Sequence, residues 1–117
     1  MIGCGTPIPG HDIRVVDAAG LELPDRQEGH LQFRGPSSTS GYYHNPEATK
    51  TLFAGEWLNT GDRAYLSEGV LFLTGREKDI IIRGGRNISP YELEQAVGDL
   101  AGIRRGCVAV FGSKDAA

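Results

Sequence analysis

Cysteine is scarce in this 117-residue chain: Cys4 and Cys107, near opposite ends, are the two present. They make no CxxC pair and no zinc-ligand spacing, so two unpaired thiols in a reducing, cytoplasmic setting are expected. No apolar run approaches the ~18 residues of a membrane-crossing helix. The opening MIGCGTPIPG lacks the basic stretch and apolar core of a secretory leader. Lysine and arginine total 12 against 15 acidic residues, a formal net charge of -3. Without a basic excess, a nucleic-acid partner is not expected. His11, His30 and His44 lie in separate segments without ligand spacing, and no metal site is expected. Ser37, Ser38 and Ser40 fall in a small, hydroxylated stretch with no G-x-S-x-G elbow, which reads as a loop. Internal repeats and low-complexity tracts are absent.

Glycine is abundant: 17 residues of 117, about twice ordinary usage. With 6 prolines, the chain is expected to form short strands and tight turns rather than long helices. No three-residue glycine period exists, which excludes collagen.

Alternation marks the first two strands. Ile13 and Val15 share one face of HDIRVVD, and Leu31 and Phe33 share one face of HLQFRG. Antiparallel pairing across a longish loop is the natural arrangement. Asn45-Pro46-Glu47 starts a short helix that runs to Leu52 or Phe53, with Asn as N-cap and Pro at the first helical position. Trp57 to Asp62 leads into the strand Ala64-Tyr65-Leu66. Ser67-Glu68-Gly69 turns the chain, and Val70 to Leu73 returns as the second arm of a hairpin. IIIR at 80–83 is a further strand, broken by Gly84-Gly85. Ser89-Pro90-Tyr91-Glu92 reads as a capping box, followed by a buried helical stripe of Leu93, Ala96, Val97 and Leu100. CVAVF at 107–111 reads as a last buried strand. A helix and one closing strand make half of an α+β unit, so a piece of a longer protein is expected.

Polar chemistry concentrates in Thr60-Gly61-Asp62, Thr74 to Asp79 and Arg83 to Asn87. The Asp62 carboxylate can present two acceptor oxygens to vicinal hydroxyls, as acidic residues do toward ribose. Equally, it can be a turn aspartate bonding local backbone amides. Arg76 offers a planar fork of donors to phosphate, carboxylate or hydroxyl. It can instead be a solvated arginine beside Glu77 or Asp79. Gly84-Gly85 between Arg83 and Arg86 can cradle a phosphate through backbone amides; it can also be a hairpin turn. Neither the Walker pattern nor GxGxxG is present. Glu92 and Glu94 fall on different sides of one helix, which suits solvent rather than acid–base work.

In order, GTPIPGHDIRVVD, GHLQFRGPSSTSGYYHNPEAT, WLNTGDRAYL and EGVLFLTGREKDIIIRGGRNISPYELE form a series. It resembles the adenylate-forming superfamily of acyl-CoA synthetases, fatty-acid–AMP ligases and peptide-synthetase adenylation domains. The stretch KDIIIRGGRNISPYELE with GIRRGCVAVFG is most similar to fatty-acid-activating members. The resemblance implies two half-reactions: a carboxylate attacks ATP to give an acyl-adenylate and pyrophosphate, and a thiol then takes the acyl group. It implies ATP or AMP and Mg2+, a fatty acid, and coenzyme A or an acyl carrier protein as partners of the intact protein. It assigns Asp62 to the ribose hydroxyls, Arg76 to the nucleotide and Lys78 to the hinge. Arg83, Gly84, Gly85 and Arg86 match the loop that turns toward the thiol channel. Tyr42, Asn45 and Pro46 match a structural segment.

The family's phosphate loop, its adenine-stacking segment with the magnesium-binding Glu, and its C-terminal lysine have no counterpart; Lys114 follows the hinge too soon. The expectation is therefore a mainly β architecture: residues 1–76, a distorted antiparallel barrel or sheet, close the large domain. Residues 77–117, the hinge and the start of a small α+β domain, follow. No catalytic residue is expected, and the piece is expected to be inactive alone. A non-catalytic binding module reusing the same subdomain is the alternative.

Overall fold

The computed structural model describes residues 2–114. The chain divides into two compact units, the first ending at Thr74 and the second starting at Gly75. Five strands form the sheet of the first unit: β1 (Asp12–Val16), β2 (Gly29–Arg34), β3 (Phe53–Ala54), β4 (Trp57–Ser67) and β5 (Val70–Arg76). Their order is β1-β2-β4-β3, with β5 paired to β4, and the sheet curls into a half-barrel. Among the described residues the one helix of this unit is α1 (Pro46–Leu52), whose N-cap Asn45 accepts the Ala48 N–H through its side chain. Its proline and Glu47 occupy the first turn, where a missing N–H costs nothing and a negative charge suits the helix dipole.

The antiparallel β1–β2 register sets Val15 opposite Leu31 and Arg14 opposite Gln32. Period-two alternation therefore sends Val15 and Leu31 to one face, where they close a core with Ala64; Ile13, Leu23, Leu66 and Leu71 pack around it. The opposite face carries mostly polar residues, but it also holds Val16, which is 2% exposed. Gln32 is 4% exposed, a burial that alternation alone does not announce.

Sequence reading divides the segment from Trp57 to Leu66 into a lead-in and a strand. The structure makes it one 11-residue strand, so Asp62 lies inside β4 rather than at a strand start. Glu68 and Gly69, with φ of 51° and 79°, form the two-residue link to β5. That is the φ signature of the primed hairpin turns whose twist matches paired strands. The Glu68 N–H is held by both carboxylate oxygens of Asp25 at 3.2 Å, which supports a non-glycine residue in that conformation.

The second unit holds a 3-10 turn (Glu77–Asp79), a hairpin of β6 (Ile81–Arg83) and β7 (Arg86–Ile88), and α2 (Pro90–Gly98). Three expectations are corrected here. Ser89 is the N-cap of α2 but makes no side-chain capping bond, so the box is not closed. The stripe on α2 is not buried: Leu93 is 44% exposed, Val97 37% and Leu100 60%. Residues 107–111 form no strand; the Val110 N–H goes to Glu94 Oε1 at 3.0 Å instead. Glu94 thus serves the backbone, a role its helical position does not reveal. No described helix is long and apolar enough to cross a membrane.

Candidate functional site

The Thr60-Gly61-Asp62 motif sits in a bulge. In the β2–β4 ladder, Gln32 pairs with Asn59 and His30 with Arg63. The chain thus advances four positions on β4 for two on β2. Two extra residues preserve side-chain parity, so Leu58 and Ala64 can both be buried on either side of the distortion. Bulges re-aim side chains in this way and cluster near functional sites. Gly61 takes φ 77°, which a residue with a Cβ adopts only at a cost.

Three sets of contacts fix the bulge. At its centre, the Thr60 hydroxyl donates to the Leu31 carbonyl at 3.0 Å and accepts the Asp62 N–H at 3.0 Å. On its N-terminal side, Asn59 Oδ1 accepts from Gln32 Nε2 at 2.7 Å while Asn59 Nδ2 donates to the Thr51 carbonyl at 3.2 Å. That carbonyl lies in the last turn of α1, where intrahelical partners run out. Gln32 Oε1 in turn accepts from Arg14 Nε at 2.8 Å, so the buried amide is bonded at both ends. The Arg14 and Arg34 guanidiniums lie 4.2 and 4.6 Å from the centre of the Trp57 ring. On the C-terminal side, Glu28 Oε1 accepts from Arg63 Nε at 2.9 Å and from the Thr74 hydroxyl at 2.7 Å. Burial raises the Glu28 carboxyl, but the Thr74 and Arg63 bonds and the Arg63 charge outweigh it, leaving it below its ordinary 4.5.

Asp62 is half-buried in the first unit. Arg76 belongs to the second, exposed at the end of β5 and directly before the 3-10 turn that carries Lys78. Arg83, Gly84, Gly85 and Arg86 come together at the exposed tip of the β6–β7 hairpin. Both glycines have positive φ, 54° and 75°, and they form its two-residue turn. Sequence reasoning missed Glu28, Gln32, Asn59 and Arg63. Apart from the Asn59 bond to Thr51, 8 positions away, their side-chain partners lie 18 to 46 positions away in the chain, a separation no local pattern encodes. Cys4 and Cys107 are free and exposed. Among the described residues no group of three or more His, Cys, Asp or Glu could hold a metal ion.

No protein-family model matches the chain. It is 42% identical over 95 residues to a 2-succinylbenzoate–CoA ligase of Listeria monocytogenes, a match covering 80% of this chain and 20% of that one. Among solved structures, McyG A-PCP complexed with phenylalanyl-adenylate superposes with a TM-score of 0.85 at 44% identity, covering 98% of this chain and 21% of that chain. A fatty acyl-adenylate ligase, from a study of the Escherichia coli and Legionella pneumophila enzymes, gives a TM-score of 0.76 at 39% identity over 85% of this chain and 18% of that chain. The chain thus spans about a fifth of the length of the relatives it matches.

Proposed function

This chain belongs to the adenylate-forming superfamily, matching a segment of its members, and from that premise we propose that it serves an ATP-dependent ligase that activates a carboxylic acid. The reaction joins a carboxylate to the α-phosphate of ATP, releases pyrophosphate, and passes the acyl group of the resulting adenylate to a thiol. The observation that carries this reading is the pinned bulge. A two-residue distortion held by Thr60, Asn59 and Arg63 is an expensive way to make a turn. It is an effective way to fix the backbone that bears a carboxylate.

In this reading Asp62 accepts hydrogen bonds from the two ribose hydroxyls of the nucleotide, and Arg76 faces the same nucleotide. Two hydroxyls on one carboxylate suit charge-assisted bonding. Residues 1–76 close the large domain, residues 77–117 open the small one, and Lys78 lies at the hinge between them. The Arg83–Arg86 loop then borders the path of the thiol, coenzyme A or a carrier-protein phosphopantetheine. The Mg2+ that accompanies ATP finds no donor set among the described residues, so this chain's part is to bind and orient the nucleotide. A fatty acid is the proposed substrate, supported by the likeness to a fatty acyl-adenylate ligase.

The test is ATP–pyrophosphate exchange by the complete polypeptide against a panel of carboxylic acids. Exchange that depends on a fatty acid, and weakens in Asp62→Ala through a higher KM for ATP, supports the reading. Normal exchange in Asp62→Ala would count against it.

A further inference from the structure

We propose that Glu28 is a positioning residue: it clamps the outgoing side of the Asp62 bulge to the end of β5, so that the nucleotide-facing carboxylate keeps its aim. The inference rests on the function proposed above and extends it to a residue that never touches the nucleotide.

A bulge with two extra residues has more backbone freedom than a regular ladder, and its aim depends on how its two ends are held. The incoming end is tied down by the buried Gln32 and the half-buried Asn59. The outgoing end is Arg63, the residue after Asp62. Its backbone pairs with His30, and its side chain, 20% exposed, ends on Glu28, which is 46% exposed. A single oxygen, Glu28 Oε1, receives both Arg63 Nε and the Thr74 hydroxyl. Thr74 is two positions before Arg76 along the same strand. One carboxylate thus couples the strand that carries Asp62 to the strand that leads to Arg76.

Glu28 is itself held in place. The next residue, Gly29, is buried, and a Cβ there would collide with the Val16 carbonyl and crowd Leu23 and Val15. Gly29 therefore packs directly against β1, and the ladder that begins at the next residue pairs His30 with Val16. A solvated surface acid needs none of this. Partial exposure limits the effect, since a pair so placed shifts an equilibrium by at most about fivefold. It also makes the residue replaceable without emptying the core.

Glu28→Ala and Glu28→Gln in the complete polypeptide separate aim from scaffolding, because the glutamine oxygen still accepts from both partners. The expected result is a KM for ATP raised about two- to fivefold in Glu28→Ala, with kcat and the carboxylate KM retained. Glu28→Gln recovers most of the loss. A lowered melting temperature and kcat with an unchanged KM for ATP would mean a structural role and would overturn the proposal. If the wild-type polypeptide exchanges pyrophosphate with no carboxylate, the proposed function falls, and the clamp is then read in this chain by amide hydrogen exchange. Faster exchange of the Asp62 amide in Glu28→Ala, slowed again in Glu28→Gln, sustains the clamp; unchanged rates overturn it.

Discussion

Gly61 shows how much one backbone angle carries. A Cβ built there meets nothing within 4 Å, so substitution is opposed by conformation rather than by space. Gly61→Ala should cost about 1–2 kcal/mol in denaturant unfolding, and a neutral result would mean that the bulge relaxes freely. Gln32 presents the opposite case, a side chain that is 4% exposed and bonded to both Arg14 and Asn59. Gln32→Ala strands two partners and should cost about 1–3 kcal/mol. Glu28 adds a pH signature. A carboxyl held below its ordinary 4.5 in the folded state contributes stability that is present above that value and lost as the pH falls through the folded one. The stability advantage of the wild type over Glu28→Gln should therefore shrink as the pH falls below about 4.5, vanish once the folded-state carboxyl is protonated, and shrink with added salt. A gap that persists in acid would assign it to packing.

At the scale of elements, what could be read from sequence was local. Asn45-Pro46-Glu47 announces α1 because cap, ring and dipole act within one turn. Strand alternation announces β1 and β2 because one face is core. The bulge was not legible: it exists only where β4 is measured against β2, at the step between His30 and Gln32. Glu28, Arg63 and Thr74 were hidden for the same reason, and Val110 gave no warning that its amide would choose Glu94 over a strand edge. The apolar stripe of α2 was legible as a pattern, but its burial depends on a surface that the helix does not itself supply. The 3-10 turn carrying Lys78 belongs to the proposed hinge. Lys78→Pro fixes φ there and should impair thioester formation more than adenylation in stopped-flow assays of each half-reaction. Equal losses in both would contradict a pivot at this position.

Among the described residues, every buried hydrophobic side chain (Val15, Val16, Leu31, Leu58 and Ala64) lies in the first unit, and none lies in the second. Ile82 is 72% exposed and Phe111 78%. Stability should follow that division, since opening free energy tracks buried apolar contact. Amide hydrogen exchange should be slowest across residues 29–34 and 57–67 and fastest over residues 101–114, where ladder bonds are lacking; uniform protection would contradict the division. What joins the scales is the claim that the Asp62 carboxylate holds the two hydroxyls of a nucleotide sugar. Its most direct measurement compares ATP with 2′,3′-dideoxy-ATP in the wild type and in Asp62→Ala. The account predicts that the wild type disfavours the dideoxy nucleotide by about tenfold or more, while Asp62→Ala binds both nucleotides alike. A discrimination that survives intact in Asp62→Ala would place the sugar elsewhere and contradict the account.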